Sequence, residues 1–279
     1  AETLRGGLSF AMSGFGYWSH DIGGFEDGNT VDLYNRWTQF GLLSSHSRYH
    51  GADAYKVPWL IGDSCVAVAK KFTRLKLSLM PYLFTQAYET SRTGIPMMRP
   101  MVLEFPEDET CAVLDRQYML GERLLVAPVF SADGAVSYYL PQGMYTNLLT
   151  GERKTGGRWY KETYDYLTMP LFVRENTILV TGRDDCAEYD YGKDAAIHLY
   201  EITDAKTQVV SVKGKICAAV SAVRTGNLMN LSLDGFSGST TLVLHGYSAV
   251  SADGAVLLCT EKDAVHLMAK KNTITIQMN

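Results

Sequence analysis

The sequence has no run of about eighteen apolar residues, which excludes a membrane-spanning helix of the ordinary kind. It has no excess of basic side chains either. The 26 Lys and Arg residues against 30 Asp and Glu leave a formal charge of −4 and an isoelectric point near 5.9. A nucleic-acid partner, which calls for a positive face, is not expected. Cysteine is sparse and scattered: Cys65, Cys111, Cys186, Cys217 and Cys259 are odd in number and show no Cys-x-x-Cys or Cys/His spacing. Neither a disulfide framework nor zinc, nor any other metal or cofactor, is therefore expected. Five reduced thiols fit a cytoplasmic setting. The opening Ala-Glu-Thr-Leu-Arg carries no basic-then-apolar leader, and no internal repeat is evident.

What is present is a globular composition: 46% hydrophobic, 20% charged and 11% aromatic over 279 residues. That is core material for one to three domains. The chain enters an amphipathic and then apolar stretch at once, so its start is expected to be a cut inside a larger fold. A short helical segment from Thr3 is predicted to pass into a buried strand over Leu8-Ser-Phe-Ala-Met-Ser-Gly-Phe-Gly-Tyr-Trp18. The strand ends in the polar turn Ser19-His20-Asp21-Ile-Gly-Gly-Phe25. Thr30 suits the N-cap of a helix from Val31 to Leu43, with Leu33, Trp37, Phe40 and Gly41 at helical spacing. A second passage follows, Leu42-Leu-Ser-Ser-His-Ser-Arg-Tyr-His50-Gly. A long helix is predicted over 63–90, its stripe formed by Val66, Ala69, Phe72, Leu75, Leu79, Leu83 and Ala87, with a kink at Pro81. Strand, helix, strand, helix is the order of parallel βα units. Two such units suit the last two of a (β/α)8 barrel.

Beyond Gly94 the pattern changes to short strands separated by turns such as Ala-Asp-Gly, Pro-Gln-Gly and Leu-Asp-Gly. These indicate antiparallel β-sandwiches. Thinner aromatic content after about Asp185 divides this region in two. The expected fold is α/β plus all-β: a barrel end over 1–95, a proximal β-sandwich over 96–180 and a distal one over 181–279.

In a (β/α)8 barrel, functional groups sit where strands end and loops begin. Two places qualify here, Trp18 to Phe25 and Ser47-Arg48-Tyr49-His50-Gly51. Each joins aromatic to hydrogen-bonding groups. Sugars need that mixture, because a ring offers apolar C–H faces and a rim of hydroxyls. Asp21 can accept charge-assisted bonds, His50 can donate, and Trp18 or Phe25 can form a stacking wall. The same residue types have plain structural uses: Asp21 as a turn former, Trp18 and Phe25 as core, the histidine as a packing group. Composition leaves the two readings level. Met97, Met98 and Met101 read as packing, and Glu107-Asp108-Glu109 and Asp184-Asp185 as solvated turns. Trp159 and Tyr160 are candidates for sugar contact in the β-region, with packing their more ordinary role.

The segment from Leu4 to Phe25 resembles the seventh-strand region of glycoside hydrolase family 31, and its bacterial α-xylosidase branch above all. The similarity continues through Asp32-Leu-Tyr-Asn-Arg-Trp37, Phe40-Gly-Leu-Leu-Ser-Ser-His-Ser-Arg-Tyr-His-Gly51, Val57-Pro-Trp59 and Leu79-Met-Pro-Tyr-Leu83. It persists at Pro96-Met-Met-Arg99, Leu114-Asp-Arg-Gln-Tyr-Met-Leu-Gly121 and Leu124-Leu-Val-Ala-Pro-Val-Phe130, and fades beyond about Leu179.

The resemblance implies a retaining α-glycosidase, with a (β/α)8 barrel followed by proximal and distal β-domains. Such chemistry needs a nucleophile and an acid/base carboxylate. In the family these follow strands four and six, in Lys-x-Asp and Trp-Gly-Asp motifs. Neither motif occurs here, so both catalytic groups are expected upstream. The resemblance makes Asp21 a supporting residue that orients His50, and Phe25 an aromatic lining the −1 subsite. It makes His50 a donor to the sugar's hydroxyls and Arg48 its neighbour. As part of the complete enzyme the chain would meet an oligosaccharide or α-glycoside, xyloside or glucoside, with the missing N-terminal part as its partner. Alone it would be inactive. The other reading is a stand-alone module whose β-domains bind carbohydrate or build a homo-oligomer.

Overall fold

The structure, a computed structural model, describes residues 1–26, 28–52, 55–247, 250–261 and 263–278. It opens with helix α1 (Glu2–Met12), which buries Leu4, Gly7, Leu8 and Ala11 at helical spacing. Phe10, Met12 and Phe15 stand exposed. The strand expected from Leu8 is thus helical as far as Met12. Apolar residues on both sides of α1 hid its 3.6-residue period.

Helix α2 (Val31–Leu42) starts where Thr30 Oγ1 accepts from the Leu33 N–H at 3.1 Å, the cap its sequence signals. A short helix α3 (Pro58–Ile61) precedes α4 (Asp63–Ser78) and α5 (Met80–Thr93). The kinked helix expected over 63–90 is therefore two helices. Leu79 closes one and opens the other, and Pro81 falls in the first turn of α5, where a missing N–H breaks no helical bond. Gly94, left-handed at φ 77°, ends α5.

The segments preceding α2 and α3 lie side by side. A single parallel bridge joins Asp21 to Arg48, and the Ile22 N–H donates to the Arg48 carbonyl at 3.1 Å. Together with α1, α2 and α4 they form the end of a (β/α)8 barrel, strand-like at its two last positions but reduced to one bridge.

The all-β region begins with β1 (Met98–Pro100), which turns at once into a one-turn helix, α6 (Met101–Glu104). The chain continues through β2 (Tyr118–Leu120), β3 (Leu124–Val126), β4 (Ala135–Leu140), β5 (Met144–Asn147), β6 (Arg153–Thr155), β7 (Arg158–Thr163) and β8 (Leu171–Arg174). Six of these strands form a sheet ordered β1-β2-β3-β8-β5-β6, and β4 pairs with β7 as a ribbon. Met97, Met98 and Met101 are buried, as their packing role requires.

The second sandwich comprises β9 (Thr177–Thr181), β10 (Ala196–Tyr200), β11 (Asp204–Val210), β12 (Ile216–Thr225), β13 (Leu228–Asp234), β14 (Thr241–His245), β15 (Val250–Asp253), β16 (Ala255–Glu261), β17 (Ala264–Ala269) and β18 (Thr273–Met278). Its sheets run β16-β17-β14-β10-β9 and β11-β12-β13-β18-β15. The β10–β14 pair is parallel, while the other pairs of that sheet are antiparallel. Because β9 pairs with β10, the passage from one sheet system to the next falls between Arg174 and Thr177. Strand β13 alternates exposed and buried residues along its whole length, which is how Met229, Leu231 and Leu233 reach the core.

A polar clasp fixes α2 to the first sandwich. Arg36 donates to the carbonyls of Asp165 at 2.7 Å and Tyr164 at 2.8 Å, and Gln39 Nε2 donates to those of Tyr166 and Thr168, both at 3.0 Å. The guanidinium also lies 4.6 Å from the Tyr166 ring centroid. Burial lowers the Arg36 pKa from its ordinary value.

Candidate functional site

At the bridged strand ends, Arg48 Nε donates to Asp21 Oδ1 at 2.5 Å. The arginine side chain is 58% exposed and the aspartate 15%. The sequence reading has Asp21 orienting His50; in the structure its carboxylate accepts from Arg48 instead. An ion pair with one partner this exposed contributes little stability, and its use is to fix the carboxylate's direction.

One turn of chain further on, the Phe25 and His50 rings approach to 5.6 Å between centroids, tilted by 46°. Phe25 is 48% exposed, so the pair presents an aromatic surface next to a ring donor. Its spacing is set from behind. The Ala52 N–H donates to the Phe25 carbonyl at 2.9 Å, and Lys56 Nζ donates to the Glu26 carbonyl at 2.9 Å. Glycine at position 51 keeps this approach open, because a Cβ there would displace the end of the Lys56 side chain and stand 3.0 Å from the Phe25 carbonyl oxygen. Tyr34 holds the Lys56 carbonyl at 2.7 Å and stacks on Tyr49 at 5.4 Å.

Beneath these lies a group that motif reading passed over. His20 is 8% exposed, and its ring stacks on Phe40 at 4.3 Å and 15°. Trp37 Nε1 donates to His20 Nδ1 at 2.7 Å, so the ring proton sits on Nε2, facing Ser44 Oγ at 3.0 Å. Ser44 Oγ donates in turn to the Phe40 carbonyl at 3.0 Å. Burial lowers the His20 pKa to about 4; Asp21 opposes that shift and Lys76 adds to it. Lys76 Nζ donates to the Ser44 carbonyl at 2.8 Å and to Ser47 Oγ at 2.6 Å, and burial brings its pKa down to about 8. His20, Trp37, Ser44, Ser47 and Lys76 thus tie both strand ends to α2 and α4. The available signal was His20 beside Asp21 and the repeated serines before Arg48.

Trp18 does not join the Phe25–His50 pair. Its indole packs on Gly7 of α1, 5.4 Å from the His20 ring and 6.3 Å from Phe40. The indole N–H is buried and has no acceptor among the described residues. Asp184 and Asp185 pair with Arg74 and Arg183, as solvated turns do. Trp159 is 49% exposed and borders a groove of about 540 Å³ with Asp115, Arg116, Ser131 and Ser137.

The order of elements and the paired strand ends meet their counterpart in known proteins. Residues 1–86 match the glycosyl hydrolases family 31 TIM-barrel domain, 94–179 the glycosyl hydrolase family 31 C-terminal domain, and 190–278 the alpha-xylosidase YicI C-terminal domain. The chain belongs to glycoside hydrolase family 31. Alpha-xylosidase XylQ of Lactiplantibacillus pentosus is 46% identical over 252 residues, which cover 87% of this chain and 33% of that protein. An alpha-xylosidase of Emericella nidulans is also 46% identical, over 186 residues, or 64% of this chain and 24% of that one. A cycloalternan-forming enzyme from Listeria monocytogenes, solved with a pentasaccharide substrate, shares the fold. Its TM-score is 0.87 at 22% identity, over 99% of this chain and 30% of that one. This family 31 chain therefore spans about a third or less of the length of the relatives it matches. Among its described residues, no helix is long and apolar enough to cross a membrane.

Proposed function

We propose that this chain supplies one wall of the −1 sugar subsite, together with the C-terminal β-domains, of a retaining α-glycosidase that removes terminal α-xylosyl residues from oligosaccharides. The observation that carries the reading is the Phe25–His50 pair at 5.6 Å, set beside the Asp21–Arg48 bridge where two parallel segments end. An aromatic face and a ring donor at that separation suit one sugar ring, with Phe25 against its C–H face and His50 donating to a hydroxyl. Double displacement needs two carboxylates about 5–5.5 Å apart. On this reading both lie in the portion of the complete enzyme outside these 279 residues. Two further observations support a missing neighbour: the buried Trp18 N–H, without an acceptor among the described residues, and exposed apolar residues such as Phe10, Phe15 and Trp59 in the barrel segment. Two alpha-xylosidases at 46% identity support xyloside over glucoside.

The test compares hydrolysis of p-nitrophenyl α-xyloside and α-glucoside by the complete protein and by the 279-residue chain. Turnover of the xyloside by the complete protein alone is expected. Turnover by the isolated chain, or none by the complete protein, would reject the reading.

A second reading, a carbohydrate-binding module without hydrolysis, is favoured by Trp159 at the edge of its polar groove. Here oligosaccharide would slow the chain in affinity electrophoresis, and Trp159→Ala would abolish the retardation. An unretarded wild-type chain removes this reading.

A further inference from the structure

The hairpin of β16 and β17 gathers three side chains that the sequence spreads out as Cys259-x-Glu261-x4-His266. Pairing in this hairpin is interrupted once. Leu257 faces Leu267 and Cys259 faces His266, so Leu258 is an extra residue in β16. Such a bulge re-aims the side chains beyond it. Cys259 and Glu261, two apart on an extended strand, project to the same face and flank His266. The Cys259 sulfur, a Glu261 carboxylate oxygen and a His266 ring nitrogen all lie within 4.8 Å of one another.

The histidine is the informative member. Its Nε2 is sealed from solvent and makes no hydrogen bond to any described residue. Glu261 Oε1, at 3.7 Å, is too far for a hydrogen bond but is aimed at it. A ring nitrogen without a partner among the described residues, a carboxylate and a free thiol thus lie within reach of a single small cation.

We propose that Cys259, Glu261 and His266 bind a zinc ion. Bonds of about 2.0–2.3 Å put the ligand atoms of a zinc tetrahedron about 3.5 Å apart. The nitrogen–oxygen separation of 3.7 Å already meets that. Both Cys259 and Glu261 are exposed, so rotation about their side-chain bonds can close the remainder. One sulfur, one nitrogen and one oxygen form a donor set for zinc, whereas magnesium and calcium require oxygen alone. Binding forms the Zn–S bond and releases the thiol proton to solvent. The thiolate and carboxylate then balance the two positive charges, and water takes the fourth, solvent-facing position.

The site has a structural consequence. Among the described residues β16 pairs with β17 alone, and Val256, Leu257 and Leu258 are all exposed on it. An edge strand of that kind invites pairing with a foreign strand. Zinc would tie the bulged end of β16 to its neighbour. The site lies in the distal β-sandwich and is independent of any glycosidase activity.

The probe is metal added to the reduced, chelator-stripped 279-residue chain. One equivalent of Zn²⁺ per chain should be taken from a chromophoric competitor, and Co²⁺ should give a thiolate-to-cobalt charge-transfer band. Cys259→Ser should abolish the band and His266→Gln should weaken binding about tenfold or more, while Cys186→Ser leaves both unchanged. At a free Zn²⁺ concentration of 100 Kd, opening of β16 that disrupts the site should become about a hundredfold rarer, read as slower amide exchange in that strand. Absence of stoichiometric binding by the reduced chain overturns the proposal, as does a band that survives Cys259→Ser.

Discussion

At the scale of single residues, His20 does the holding and its neighbour Asp21 meets the surface. The imidazole is neutral, accepts from Trp37 and faces Ser44, so protonating it would break the Trp37 bond and bury a charge. Its pKa falls from an ordinary 6.5 to about 4 on folding. Between those values the unfolded chain carries the proton and the folded chain does not. Stability should therefore fall as the pH drops from about 6.5 towards 4, by up to about 1.4 kcal/mol per pH unit from this residue. His20→Asn should be less stable at pH 8, yet its urea midpoint should decline less steeply through that window. An unchanged slope would mean that His20 does not remain neutral in the fold. Gly51 makes a second case. Gly51→Ala drives a methyl group into Lys56 and towards the Phe25 carbonyl, so about 1–3 kcal/mol of destabilisation is expected in thermal melts. The motif drew attention to Asp21, Phe25, Arg48 and His50, which the structure sets as two neighbouring pairs, Asp21 with Arg48 and Phe25 with His50. His20 was not, because a buried histidine is recognised by what surrounds it and those partners come from Trp37 and Ser44, 17 and 24 residues away.

Elements were legible where one face is apolar and the other polar, or where a cap marks the end. Thr30 announces α2, and the alternation in β13 announces a half-buried strand. Reading failed where both faces are apolar, as in α1, and where a proline could mean either a kink or a first turn, as in α5. The signal is also weak in β12, the longest of the described strands, whose Ala and Ser residues carry little hydrophobicity. No pattern reveals the clasp from α2 to Tyr164 and Asp165, since an arginine's partner 128 residues away is fixed only by the fold. Arg36→Met keeps much of the side-chain volume but leaves two carbonyls without their donor. A loss of about 2–4 kcal/mol is expected in denaturant titration. A change below about 0.5 kcal/mol would show that water serves those carbonyls equally well.

On the scale of the whole molecule, folding and catalysis should separate at Phe25. A core aromatic stabilises the fold it sits in, but Phe25 is 48% exposed and its ring meets His50 at the surface. Truncating it removes little buried area, so Phe25→Ala should leave the melting temperature of the complete protein within about 2 °C of wild type. The same change takes away the face on which a sugar ring would rest. A ring face covered by the sugar contributes about 1.5–3 kcal/mol, the range for burying a Phe side chain, and its loss from the transition state corresponds to roughly 10–150-fold in kcat/KM. His50→Ala should lower kcat/KM on p-nitrophenyl α-xyloside in the same way, also at near-constant stability. If Phe25→Ala instead unfolds the protein, the ring is core and the −1 wall lies elsewhere. If it spares both stability and kcat/KM, the pair faces solvent in the complete enzyme, and Asp21 with Arg48 is all that remains of the candidate site.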